Sequence, residues 1–155
     1  MALTKLNSAS VIDRLPVGSV LQTVEVVSTG DVTCASGADR TILTASITPQ
    51  FSSSKILVQC SGQGIWKEGN SAVNNIYVKI FRGTTSDTAI RVQKVYAWGT
   101  RNTAEDPFNF SINKLDSPST TSSQTYTWTA SCTQHNLIFK NETNGQTMVL
   151  QEIKG

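Results

Sequence analysis

The chain has 155 residues, a length typical of one domain that buries a hydrophobic core without metals or disulfides. Charged residues make up only 15%, whereas 38 residues are Ser or Thr, which is typical of β-structure with hydroxyl-rich surfaces. The net charge of +2 is small and the basic residues are dispersed, so we do not expect a nucleic-acid-binding protein. No signal-peptide pattern or apolar run of membrane-spanning length is present, so we expect synthesis in the cytoplasm without membrane insertion.

Residues 1–17 are predicted to form an arm that precedes the folded domain, residues 18–155. The arm is mostly small and polar, and the spacing of residues 10–15 predicts a short helical turn with Ser10 as its N-cap. The candidate docking residues of the arm are its apolar side chains Leu3, Leu6, Val11, Ile12 and Leu15. The arm could pack on its own domain, but we expect a neighbouring protein to be its partner.

The remainder is predicted to be all-β, with about eight strands separated by turns rich in Gly, Ser and Asn. Apolar and polar residues alternate with the period of a half-buried strand; Leu43, Ala45 and Ile47, for example, alternate with hydroxyl residues. The predicted strands are 18–27, 40–48, 55–61, 75–82, 89–98, 124–131, 136–140 and 146–153. Because no long helix is predicted, this pattern indicates an antiparallel two-sheet sandwich resembling a jelly roll.

The strand 75–82 is apolar on both faces. Tyr77 and Phe81 lie on the face opposite Ile76, Val78 and Ile80. Since a second apolar face favours contact with another chain over contact with water, we predict that Tyr77 and Phe81 lie in a subunit interface.

The segment 99–118 is predicted to be a long, exposed contact loop, because it is irregular and contains the Asp106-Pro107 pair. Aromatic and acidic residues in or near loops could contact a partner or stack on a sugar; the alternatives are that the tryptophans lie at the edge of the core, which is slightly favoured, and that the acidic side chains are solvated. The candidates for this role are Trp66, Trp98, Glu105, Asp106 and Phe108.

Neither a catalytic nor a metal site is expected. Cys34, Cys60 and Cys132 are too widely spaced for a metal or redox motif, and His135 is the only histidine. We expect Cys60 to be a buried free thiol, while pairing between two cysteines stays open. The Gly62-Gln63-Gly64 stretch lacks the lysine of a phosphate loop and predicts a bulge or strand-end turn. We therefore expect a non-enzymatic protein without cofactors.

The last forty residues combine turn chemistry with strands. Tyr126, Trp128 and Ala130 alternate with threonines and are predicted to face the core, after a Ser/Thr-rich turn. The chain then ends on a short apolar strand that contains Glu152-Ile153. Upstream, residues 15–22 read LPVGSVLQ and residues 47–58 read ITPQFSSSKILV.

These segments together resemble a domain that recurs at the ends of tail-fibre and other surface proteins of marine tailed bacteriophages. The resemblance implies a homotrimeric β-sandwich on the virion surface. Within that class, the absence of a fibre-shaft repeat and the short arm favour a capsid decoration or cement protein, with the major capsid protein or another virion protein as its partner. The alternative is a tail-fibre or head-fibre tip that binds host-surface glycans.

Overall fold

The computed structural model describes residues 11–67, 73–98, 108–141 and 145–155. Ten strands follow one another along these residues. They are β1 (Val20–Val27), β2 (Val32–Cys34), β3 (Arg40–Ile47), β4 (Lys55–Lys67), β5 (Val73–Arg82), β6 (Ala89–Trp98), β7 (Phe108–Asp116), β8 (Gln124–Cys132), β9 (Leu137–Phe139) and β10 (Thr147–Ile153).

The strands form two antiparallel sheets. The larger sheet has the order β1-β10-β4-β9-β2, with β7 also paired to β4, and the smaller sheet has the order β3-β8-β5-β6. Without the three-residue strands β2 and β9, the two sheets are β1-β10-β4-β7 and β3-β8-β5-β6, which is the strand order of a jelly roll. The predicted all-β, antiparallel two-sheet sandwich is thus confirmed.

The core lies between the sheets and is built from alternate residues of both. Tyr126, Trp128 and Ala130 on β8 are fully buried, as their alternation predicts. The rings of Trp128, Phe110 and Phe139 pack edge to face in all three combinations, with centroids 6.1 Å apart. These aromatic contacts join β8 of the smaller sheet to β7 and β9 of the larger sheet and so fix one sheet on the other.

The prediction that 99–118 is one long loop is wrong, because β7 occupies Phe108–Asp116. The strand is hard to recognise because its inward-facing row ends on a carboxylate, Asp116. The hydroxyl of the buried Tyr126 donates to this carboxylate at 2.8 Å, and Arg82 lies 3.4 Å from it. Asp116 therefore has polar partners at its inward position. In the sequence alone, a carboxylate at such a position argues against a strand.

The glycine stretch 62–64 is a strand irregularity, as expected. The register between β4 and β7 shifts between Gly62 and Ile65, and Gly64 has a φ of +56°. A Cβ on Gly62 would lie 2.9 Å from Cδ1 of Ile65 and 3.2 Å from the Phe110 ring. The irregularity lets β4 continue to Lys67, where its last residues pair with β9.

A single helical turn precedes β1, where the amides of Arg14 and Leu15 donate to the carbonyls of Val11 and Ile12. Within the part of the chain that the structure describes, no helix is long and apolar enough to cross a membrane.

Candidate functional site

The segment 11–18 is fastened to the end of β10 by one lysine. The Lys154 ammonium donates to the carbonyls of Ile12, Asp13 and Leu15 at 3.1, 2.7 and 2.8 Å. These carbonyls lie at the C-terminal end of the helical turn, where a cation is favoured. Two backbone bonds complete the junction, from the Gly18 amide to the Lys154 carbonyl and from the Lys154 amide to the Ser19 carbonyl. We call these contacts the Lys154 clamp.

The clamp places the predicted docking residues in two groups. Ile12 and Leu15 are half-buried, so this part of the arm packs on its own domain. Val11 stays 43% exposed, and Val17 and Val20 further along the chain are 76% and 50% exposed. Leu3 and Leu6 lie outside the described residues.

A buried carboxylate next to the clamp connects the three segments on which the phage resemblance rests. Glu152 on β10 is fully buried and accepts hydrogen bonds from the Gln22 side chain (2.6 Å), the Gln50 amide (2.7 Å) and the Ser54 hydroxyl (2.6 Å). Gln22 is on β1, whereas Gln50 and Ser54 are in the turn between β3 and β4. The residues that carry the resemblance to phage surface proteins therefore build one end of the sandwich, and their role is structural.

A second surface lies on the outer face of the smaller sheet, where two tyrosines flank a lysine. Tyr77 on β5 is directly opposite Lys94 on β6, and Tyr96 follows two residues later on the same face. The Lys94 ammonium lies 5.6 Å from the centroid of the Tyr77 ring and 4.8 Å from that of Tyr96. Its hydrogen bond to Tyr96 raises the pKa of Lys94 above the ordinary value. Tyr96 is 51% exposed.

An open groove of about 360 Å³ adjoins this aromatic surface. Tyr77 forms one wall, and the hydroxyl residues Ser131 and Thr133 form another. The Lys79 ammonium binds both carboxylate oxygens of Asp39, at 2.9 and 2.7 Å, and this ion pair also lines the groove. The groove thus combines an aromatic ring, hydroxyls and a carboxylate held in a fixed orientation.

The predicted interface residues do not form one apolar face. Phe81 is only 4% exposed and is therefore covered by its own chain. The register between β5 and β6 shifts between Ile80 and Phe81, which interrupts the regular row of outward residues. Tyr77 is half-buried beside the groove. The predicted subunit interface is therefore not supported at Phe81, because this side chain is buried. The sequence alternation did not predict the burial, because it does not reveal the register shift.

Of the predicted contact-loop residues, Trp66 alone has a side chain that the structure describes. Trp66 on β4 is half-buried, with the Lys140 ammonium 4.7 Å from its ring centroid. Lys140 is held there by Asp31 at 2.7 Å, and this contact is the main cause that lowers the pKa of Asp31. Trp98 ends β6 and Phe108 begins β7, but their side chains lie outside what the structure describes, as do Glu105 and Asp106.

The cysteines are three buried free thiols, which confirms the expectation for Cys60. Burial raises the pKa of Cys34 and Cys60 to about 12, so both stay protonated at neutral pH. The Cys132 thiol donates to the Cys34 carbonyl at 3.4 Å, and burial raises its pKa as well. Such thiols are poor nucleophiles. In the described residues, no group of three or more His, Cys, Asp or Glu side chains could hold a metal ion.

Sequence reasoning missed Lys94, Lys79 and Asp39. The alternation within β5 and β6 already places Tyr77 with Lys79, and Lys94 with Tyr96. The missing information was the register of β5 against β6 and the fold that brings Asp39 across to Lys79, neither of which a single sequence reveals.

No protein-family model matches the chain, and no curated protein matches it. Among solved structures, the VP2 subviral particle of infectious bursal disease virus is 7% identical, with 85% of this chain and 40% of that chain covered and a TM-score of 0.45. The Gx strain of the same virus gives 8% identity, 86% and 36% coverage and a TM-score of 0.44. A structure described as "CBM4 structure and function" is 12% identical, with 83% of this chain and 77% of that chain covered and a TM-score of 0.38. The chain thus spans about two fifths of the viral protein's length.

Proposed function

We propose that this chain is a non-catalytic structural protein on the outer surface of a tailed-phage virion, a capsid decoration or cement protein that docks through its N-terminal segment. One observation carries the proposal. Seven large apolar side chains are exposed in the described part of the chain, and four of them lie between residues 11 and 27. These four are Val11, Val17, Val20 and Val27.

The position of these valines suits a docking surface. β1 pairs with β10 alone among the described strands, so it is an edge of the larger sheet. An edge strand with exposed apolar side chains is a ready surface for another protein. The Lys154 clamp holds the segment before β1 in place, which reduces the conformational entropy lost on docking.

The placement on a virion rests on the sequence resemblance, and so does the homotrimer. The proposed partner is the major capsid protein or another virion protein. If three copies assemble, three N-terminal segments would bind a repeating lattice together, and such multivalent binding strengthens attachment without new contacts. The raised pKa values of the buried thiols are consistent with a non-catalytic role.

A fibre tip that binds host-surface glycans is the second candidate, and the exposed Tyr96 ring is the observation that favours it. Immunogold labelling of intact particles separates the two candidates. Label spread over the head supports decoration, and label confined to the tail contradicts it.

A binding assay with particles that lack this protein tests the docking surface. We expect Val17→Ser to weaken incorporation while the fold is kept, because Val17 is the most exposed of the four valines (76%) and the carbonyls that Lys154 binds stay in place. We also expect Val20→Ser to weaken binding. Val92→Ser is the matched control, because Val92 is an equally exposed valine (50%) on an edge strand of the other sheet. Full incorporation of both Val17→Ser and Val20→Ser, or a loss in Val92→Ser equal to that in Val20→Ser, would refute the docking surface.

A further inference from the structure

We propose that the outer face of the smaller sheet binds an acidic saccharide, a sugar that carries a carboxylate, with Tyr96, Lys94 and the groove beside Tyr77 as its site. This inference does not depend on where the protein sits on a particle, and the site lies on the other sheet from the docking surface.

The aromatic part of the site is rigid and accessible. Tyr96 projects from a ten-residue strand with half of its surface exposed, and Tyr77 lies diagonal to it on the paired strand, directly opposite Lys94. A tyrosine ring offers a flat apolar face at small entropic cost and a hydroxyl at its rim. The apolar C–H face of a pyranose ring is complementary to this arrangement, since the sugar hydroxyls then point sideways towards polar groups.

The charge at the site favours an anion. Within residues 11–67, 73–98, 108–141 and 145–155 the ion pairs are Lys79–Asp39, Arg82–Asp116 and Lys140–Asp31, so Lys94 has no carboxylate partner there. Lys79 is already neutralised by Asp39. The Lys94 ammonium is thus the uncompensated charge of this face, and a carboxylate placed beside it forms a charge-assisted hydrogen bond.

The groove supplies the polar contacts that a sugar needs beyond stacking. Its volume of about 360 Å³ falls in the range of small-molecule sites. The Ser131 hydroxyl can both donate and accept, and the Asp39 carboxylate accepts from sugar hydroxyls with lone pairs that Lys79 leaves free. Because Lys79 contacts both oxygens of Asp39, the carboxylate is held in place before a ligand arrives.

Titration calorimetry with an oligogalacturonate of four sugars, against the uncharged maltotetraose, tests the site. We expect the purified full chain to bind the acidic oligomer, with affinity that falls as salt is added. Lys94→Gln and Tyr96→Ala should each weaken binding by about tenfold or more. Lys55→Gln is the matched control, because Lys55 is an exposed lysine on the larger sheet. This variant should bind the acidic oligomer as tightly as the wild type does.

Several outcomes overturn the proposal. They are no heat of binding at millimolar oligogalacturonate, equal affinity for maltotetraose, and equal weakening by Lys55→Gln and Lys94→Gln. Dissociation of an oligomer by Tyr96→Ala in size-exclusion chromatography would instead assign this face to a second copy of the chain. The docking variant Val20→Ser should leave saccharide binding unchanged, so failure of one proposal is distinguishable from failure of the other.

Discussion

Replacing Glu152 by glutamine isolates the contribution of the buried carboxylate, because the side chain keeps its shape and loses only its charge and one acceptor. In the wild type the side-chain NH2 of Gln22 donates to the Glu152 carboxylate at 2.6 Å. In Glu152→Gln the new amide NH2 takes the place of that acceptor and faces the NH2 of Gln22. Gln22 cannot turn its amide without loss, because the same nitrogen also donates to the Thr48 carbonyl at 2.6 Å. The substitution therefore sets two donors against each other in a fully buried site.

The expected cost follows from these contacts. One buried hydrogen bond is lost, at about 1–3 kcal/mol. The bonds from the Gln50 amide and the Ser54 hydroxyl become neutral ones, at about 0.5–1 kcal/mol each. Relief of the carboxylate's desolvation offsets part of this loss. We expect a net destabilisation of about 2–4 kcal/mol, which is a large part of the total stability of a domain.

Urea unfolding followed by tryptophan fluorescence measures this change, since Trp128 is buried in the fold. Thermal unfolding should show a fall of about 4–16 °C in Tm. Glu25→Gln is the control, because Glu25 is an exposed carboxylate on β1, and it should change stability by less than about 0.5 kcal/mol. The reasoning is refuted if Glu152→Gln unfolds at the same urea concentration as the wild type, or if Glu25→Gln costs as much.

Three further predictions concern buried hydroxyls and thiols. Among the residues that the structure describes, the buried Thr129 hydroxyl has no hydrogen-bond partner, so Thr129→Val should stabilise the protein by about 1 kcal/mol. Thr127→Val should destabilise it by a similar amount, because Thr127 donates to the Gly83 carbonyl at 2.6 Å. Urea unfolding that gives both variants the same sign would contradict this. The three thiols should resist a thiol reagent in the native protein and react once urea unfolds it, and rapid labelling of the native protein would disprove their burial. Because burial raises the pKa of Cys34 and Cys60 from 9.0 to about 12, the unfolded chain loses these protons first. The free energy of unfolding should therefore be unaffected by them below about pH 9 and fall above it, by at most about 1.4 kcal/mol per pH unit for each thiol. Cys60→Ala should make this decline shallower, and an unchanged slope would show that Cys60 does not contribute.

The sequence was sufficient for the fold class because apolar residues that alternate along a strand face the core even where a neighbouring strand is irregular, as β3 is between Thr41 and Leu43. Tyr126 and Trp128 illustrate this, since their strand lies between β3 and β5 in the smaller sheet. The alternation rule failed at β7, where Asp116 occupies an inward position, and at Phe81, where the register shifts. Both failures arise from contacts between residues far apart in the chain.

The candidate sites were less predictable, for the same reason. The resemblance to phage surface proteins rests on segments that meet around Glu152, so it reports on the folding of one end of the sandwich more than on a binding site. The pairing of Tyr77 with Lys94 depends on strand register. The ion pair between Lys79 and Asp39 depends on how the fold brings two distant parts of the chain together. Neither property is encoded in local composition.

The Lys154 clamp also determines how the domain bears mechanical load. An edge strand pulled from its end can be peeled from a sheet one hydrogen-bonded pair at a time. Here a pull on residues 11–15 passes through the Lys154 ammonium to the end of β10, a strand that is paired on both sides, with β1 and β4. Tension is thus divided between two strands, and detachment of β1 requires breaking the contacts to Lys154 first.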